Sequence, residues 1–299
     1  MPDARARAAY AGYRVAADVA RVVPPSLGDP LARATSRAYQ ALNPARRAQV
    51  ARNLDRVAAA PLDAAARRQD MAAVFDYYGR YWHELFQLAV RDPASLCAGF
   101  RCEGEEHLKA AAGRGQGVIL ALPHLGNWDL AGAWLASVGY ALTVVAELLE
   151  PPELFEWFVT TRSRLGMRVV AIGPDAGGLL LRDLHENRVL CLVGDRDMTG
   201  DGVEVEFFGE RTRLPGGPAL LALRTGAPLL PAGCFFRPER GHGARILEPL
   251  ATSRRGRLRD DVTRVTQQLA HRFEELIRAA PDQWLLMQPN WPSDAAARS

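Results

Sequence analysis

A chain of 299 residues that is 48% hydrophobic and 24% charged can bury a substantial core, and no low-complexity tract interrupts it. A formal net charge of +3 is too small to imply nucleic acid. No stretch approaches the roughly 18 uninterrupted apolar residues of a spanning helix, since even residues 218–236 are broken by Arg224.

Charge is nonetheless uneven. Residues 1–70 hold twelve arginines against six acidic residues. Lys109 is the only lysine, a codon-bias signature that lowers the significance of any single arginine. The opening MPDARARAAYAGYRV lacks the long apolar core of a secretory signal. Cys97, Cys102, Cys191 and Cys234 form no paired CxxC units, so reduced thiols, no metal and a cytoplasmic protein are expected.

Residues 9–22 read as an amphipathic helix ending at Pro24-Pro25, and 31–42 as a second ending before Asn43-Pro44. A third spans 45–57 with basic residues on one side, and a long aromatic one spans 62–90. A basic helical face suits an anionic membrane surface, and equally a solvated face on a helical bundle.

From about residue 115 apolar runs alternate with helical stretches. Strands are expected at 118–121, 142–146, 168–172, 189–193, 203–207, 228–234 and 244–247. Helices are expected at 127–138, 151–165, 176–187, 215–225 and 257–279. This alternation predicts an α/β fold: a mostly parallel central sheet flanked by helices on both faces, preceded by an N-terminal helical segment. We treat residues 1–299 as one domain, with 1–91 the N-terminal helices and 115–299 the α/β core. Ligands of such sheets bind beyond the carboxyl ends of the strands.

Two stretches carry chemistry at such ends. In LPHLGNWDLAG (122–132), His124 stands between a strand and a helix, with Asp129 five positions on. On a continuous helix the two would lie roughly 140° apart. A bend at Leu125-Gly126 lets Asp129 point back to one ring nitrogen and leaves the other as an acceptor for a hydroxyl proton. The alternative is a capped helix, with Asn127 or Asp129 as cap and His124 an ordinary polar residue. In CLVGDRD (191–197), Asp195 and Arg196 stand at another strand end, where a solvated loop is the alternative. The glycines of GRGQG (113–117) precede a strand, the wrong order for a phosphate loop, and there is no GxxxxGK, HExxH or GxSxG.

LPHLGNWDLAG resembles the His-x4-Asp/Glu motif of the lysophospholipid and lipid A acyltransferase superfamily, and more closely that of the actinobacterial phosphatidylinositol mannoside acyltransferases. The likeness extends over YGRYWHELFQL (78–88), VVAELLEPPELFEWFVTTRSRLGM (144–167), NRVLCLVGDRDM (187–198), GVEVEFFGERTRLPGGPALLALRTGA (202–227) and PDQWLLMQPNW (281–291). The resemblance implies transfer of an acyl chain from acyl-CoA, palmitoyl-CoA for instance, to a sugar hydroxyl of a membrane glycolipid, with no cofactor. It implies His124 as catalytic base, Asp129 as supporting acid, and Glu147 and Arg162 as groove residues. Asp195 falls where the family carries a functional glutamate. Thr212, Arg213 and Gly216 fall near the family's donor site.

The chemistry is consistent with these residues. A thioester is already activated, so no cysteine nucleophile is required; a base and a stabiliser of the developing oxyanion suffice. Backbone N–H groups at the start of the 127–138 helix, or Arg196, are the stabilisers on offer. An acyl chain needs an apolar groove, for which helix 215–225 and segment 75–86 are candidates. The basic N-terminal helices suit a peripheral protein on the cytoplasmic face of the plasma membrane, and Trp284 and Trp291 suit such an interface or, equally, a packed core. The same chemistry serves a lysophospholipid or another glycolipid, and a lipid-binding protein of this fold would lack turnover altogether.

Overall fold

The structure, a computed structural model, describes residues 4–23, 25–58, 60, 63–90, 92–238 and 241–296. Four helices come first: α1 (Ala4–Val22), α2 (Pro25–Leu42), α3 (Pro44–Val57) and α4 (Ala64–Leu88). Pro24, the expected stop of the first helix, and Leu62, the expected start of the fourth, lie outside the described residues. Asp63 caps α4, its carboxylate accepting from the Ala65 and Ala66 N–H groups at 2.8 Å. A short helix α5 (Pro93–Cys97), strand β1 (Arg101–Glu103) and helix α6 (Glu105–Ala112) follow, none of them anticipated from the sequence.

The core then alternates as β2 (Val118–Leu122), α7 (Trp128–Ser137), β3 (Leu142–Ala146), α8 (Pro152–Arg164), β4 (Met167–Ala171), α9 (Ala176–His185) and β5 (Val189–Val193). After a hairpin of β6 (Val203–Phe207) and β7 (Glu210–Leu214) come α10 (Gly217–Thr225), β8 (Leu229–Phe236), β9 (His242–Ile246), α11 (Leu258–Arg278) and α12 (Pro292–Ala296).

Seven strands form one sheet in the order β1-β9-β8-β2-β5-β3-β4, parallel except where β9 runs against β8. The expected fold class is thereby found. Both faces are buried, which is why the strands read as continuous apolar runs. Ile119, Ala121, Leu190 and Leu229 pack with residues of α9, α10 and α11. Val118, Leu120, Leu122 and Leu230 pack on the other face with residues of α4, α6, α7 and α8.

Residues 203–207 form a strand as expected but lie outside this sheet, paired antiparallel with β7. The two turn residues, Phe208 and Gly209, have φ of 52° and 75°, the left-handed backbone that tight hairpin turns use.

The N-terminal basic charge is partly consumed inside the molecule. Arg52 and Arg56 of α3 both pair with the buried Asp294 (3.1 and 2.9 Å), and Arg46 donates to the Met287 carbonyl. Thus α3 turns basic residues toward the C-terminal segment. Apolar side chains are instead exposed on α1 and α2: Val15, Val19, Leu27 and Leu31. Among the described residues, no helix is long and apolar enough to cross a membrane.

Candidate active site

Parallel pairing of β2 with β5 sets Leu122 opposite Val193, so the residues two positions beyond each, His124 and Asp195, emerge side by side at the carboxyl edge of the sheet. The Asp195 carboxylate meets His124 Nδ1 at 2.6 Å and accepts the His124 backbone N–H at 3.0 Å. The C-terminal segment completes the shell: Trp284 Nε1 donates to Asp195 at 2.8 Å, and the Asn290 amide donates to its carbonyl. Asp195 is fully buried, while the His124 side chain keeps 25% exposure. Burial alone would raise the Asp195 pKa, but the His124 ring and the three donated hydrogen bonds outweigh it and hold the carboxyl below its ordinary value. With Nδ1–H donated to the carboxylate, Nε2 is left as a proton acceptor.

The chain between strand and helix bends as the sequence predicts. Gly126 has φ of +62°, and a Cβ there would stand 2.4 Å from the Cys234 carbonyl oxygen, so no other residue fits. The bend is tied down by Leu285 N–H donating to the His124 carbonyl (2.7 Å) and Gly126 N–H to that of Gln283 (3.0 Å). Asn127 caps α7, its Oδ1 accepting from Leu130 N–H at 3.0 Å.

Asp129 differs from expectation: it does not reach the His124 ring. Its carboxylate takes Arg162 Nε at 2.7 Å, Arg162 Nη2 at 3.2 Å and the Tyr81 hydroxyl at 2.8 Å. The reason is electrostatic. The Arg162 guanidinium brings a full positive charge and two parallel N–H donors to the carboxylate where an imidazole offers one. Burial and then the neighbouring Asp129 push the Tyr81 hydroxyl well above its usual pKa, so it stays a donor. The Tyr81 ring lies 4.4 Å from that of Trp128, which in turn meets the His124 ring edge-on at 5.3 Å.

Under α7 runs a narrow apolar cavity of about 80 Å³, with Trp128, Asp129 and Arg162 in its lining. Residues of all seven strands of the sheet, from Cys102 on β1 to Met167 on β4, line it. At ~4.8 Å per strand the lining residues therefore span about 29 Å of sheet. Neither helix 215–225 nor segment 75–86 lines it. The former lies on the opposite face, and the latter is largely packed as core. Cys102 and Cys191 face the cavity, and burial pushes their thiols up to about 11 and about 12. Both remain protonated at neutral pH and are poor nucleophiles.

The other expected site residues divide. Arg196 follows Asp195, half-buried and in no ion pair among the described residues, and Glu147 is exposed at the carboxyl end of β3. Thr212 and Arg213 line a polar cleft with Asp197 and Asn290, one residue away from Asp195's own shell. Gly216 stands apart, packed near Val203 and Val262 before α10. Of the two placements open to Trp284 and Trp291, interface or core, both take the core, Trp284 on Asp195 and Trp291 stacked on Phe207 at 5.6 Å. Tyr81 is a partner of Asp129 that no spacing announces; its one signal in the chain is the resemblance of YGRYWHELFQL.

An α/β sheet with a His–Asp pair at its carboxyl edge and an apolar cavity beneath the next helix defines the class. The chain belongs to the bacterial lipid A biosynthesis acyltransferase family, whose model matches residues 7–293. Among named relatives, it is 42% identical over 254 residues to the phosphatidylinositol mannoside acyltransferase of Mycobacterium tuberculosis, covering 82% of this chain and 77% of that protein. It is likewise 42% identical over 252 residues to the phosphatidylinositol mannoside acyltransferase of Mycolicibacterium smegmatis, covering 82% and 80%. To the lipid A biosynthesis acyltransferase of Haemophilus influenzae it is 25% identical over 229 residues, 74% and 68% of the two chains.

Proposed function

We propose that this protein transfers a fatty acyl chain from acyl-CoA to a sugar hydroxyl of a membrane glycolipid, a phosphatidylinositol mannoside, with His124 as general base. The observation that carries the reading is the His124 ring, seated on buried Asp195 and against Trp128, which lines the apolar cavity. His124 Nε2 takes the proton of the acceptor hydroxyl as its oxygen attacks the thioester carbonyl. The resulting oxyanion collapses, the carbon–sulfur bond breaks, and the proton passes to the departing thiolate. Asp195 keeps the ring in the required tautomer and stabilises the imidazolium, the role the resemblance reserved for Asp129.

Asp129 acts at one remove, holding Arg162 in the cavity wall and Tyr81 behind it. The first-turn N–H groups of Trp128 and Asp129 are available to the oxyanion, with Arg196 a cationic alternative. Glu147 and Arg162 flank the acceptor, and the cleft of Thr212 and Arg213 serves the polar part of the donor, with Gly216 shaping the start of α10 behind it. The acyl chain enters the cavity under α7. Exposed Val15, Val19, Leu27 and Leu31 favour peripheral contact with a bilayer, which we place at the anionic cytoplasmic face of the plasma membrane. The ordered His124–Asp195 pair favours an enzyme over a carrier of the same fold, which has no use for it.

Release of free coenzyme A from palmitoyl-CoA, with and without phosphatidylinositol mannoside, tests the reading in wild type and His124→Ala. Acceptor-dependent release that falls about 10²- to 10⁴-fold in the variant is expected. Release indifferent to the acceptor removes the mannoside; equal rates in the two proteins remove His124.

A further inference from the structure

One turn of α4 presents Tyr81 and Glu84, three residues apart and so on one helical face, to the first turn of α7. Tyr81 holds Asp129, as described above. Glu84 holds Asn127: its Oε2 accepts from Asn127 Nδ2 at 2.7 Å. The same carboxylate meets Arg80 Nε at 2.7 Å and His242 Nε2 at 2.9 Å, and its side chain is only 12% exposed. Arg80 also lies over the Phe236 ring at 4.7 Å, and the backbone N–H and C=O of Phe236 bond to the Gln283 side chain. The Gln283 carbonyl accepts from Gly126. The cluster therefore grips the helix-side half of the His124–Asn127 bend, at Gly126 and at Asn127.

A primary amide has two different ends, and only one works as this cap. With Nδ2 on Glu84, Asn127 Oδ1 faces the Leu130 N–H; turned over, the amide sets N–H against N–H and an oxygen against a carboxylate. A buried glutamate held by an arginine and a histidine is costly to place, and a helix cap alone needs none, since Asn caps unaided. We propose that Glu84, backed by Arg80 and His242, is a positioning residue for the reaction: it locks the Asn127 amide and thereby the bend that sets the His124 ring on Asp195. This rests on the acyl-transfer reading only for its kinetic test.

The test exchanges the two functional groups. Glu84→Gln removes the charge, and Asn127→Asp keeps a competent cap but faces one carboxylate with another. The double variant Glu84→Gln/Asn127→Asp restores a donor–acceptor pair with amide and carboxylate in exchanged positions. Each single change is expected to lower kcat by an order of magnitude or more, with KM for acyl-CoA unchanged, since small misplacements at a reacting group cost up to about 10²-fold. The double variant should recover at least half of that loss on a logarithmic scale, an interaction a double-mutant cycle reads directly. In parallel, ¹⁵N NMR of labelled histidines follows His124, assigned by its loss in His124→Gln. The Nδ1 signature of the bond to Asp195 should weaken in each single variant and return in the double. This arm needs no substrate, so it stands even if the wild type transfers no acyl group. Strictly additive losses in kcat, or an unchanged His124 signal in folded Glu84→Gln, overturn the proposal.

Discussion

The end of β5 and the first turn of α7 each present a buried aspartate at the same edge of the sheet, and they use it differently. Asp195 is satisfied by neutral donors alone: the His124 ring, a backbone N–H and the Trp284 indole. Asp129 is satisfied by a guanidinium and a phenol. A carboxylate already neutralised by an arginine has little left to offer an imidazole. One held only by neutral donors keeps its full charge for the imidazolium that forms when His124 accepts a proton. The partner set, more than proximity in sequence to the histidine, decides which acid supports the base.

The comparison breaks most sharply at Asp195. Asp195→Ala should lower kcat by roughly 10²- to 10⁴-fold, as loss of a base's orienting acid does, with a smaller effect on KM; steady-state coenzyme A release measures it. If Asp195→Ala costs less than Asp129→Ala in kcat per folded molecule, the assignment of roles is reversed. Asp129→Ala should instead act chiefly on stability. Removing one partner of a buried pair leaves Arg162, 14% exposed, uncompensated at about 3–5 kcal/mol, which chemical denaturation reads. The smallest effect is in acid. Because Asp195 titrates below the ordinary 3.8 in the fold, its stabilisation is complete above that pH and is lost as the pH falls from there toward its folded value. The stability gap between wild type and Asp195→Asn should therefore shrink only below pH 3.8, in denaturation curves taken across the acid range.

Much of this architecture is legible in the chain. Apolar runs of the length of β2 and β5 mark doubly covered strands, and the parallel-sheet rule sends ligands to their carboxyl ends, so His124 and Asp195 stand out as residues. Their pairing does not, because it depends on the register of two strands some seventy positions apart and on Trp284 from beyond both. Sequence proximity pointed to Asp129, and nothing local announces that Arg162 on α8 and Tyr81 on α4 claim it first. Strand β1 has only three residues, its middle one half-buried and its ends exposed, too little pattern to read. In β7, ERTRL, charges mask an alternation that buries Thr212 and Leu214. The buried Trp284 and Trp291 illustrate the same limit: an aromatic residue looks alike in sequence whether it meets lipid or core.

The antiparallel bridge between Leu125 and Trp284 has a consequence for how the protein is made. Trp284 follows Asp195 by 89 positions, and it both donates to the aspartate and pins the bend beside the histidine. A ribosome that has released all seven strands of the sheet has not yet released this segment. The nascent chain can assemble its sheet while the histidine and aspartate still lack the indole that joins them. Competence for reaction therefore arrives late in synthesis, after the α1 and α2 surfaces have already emerged.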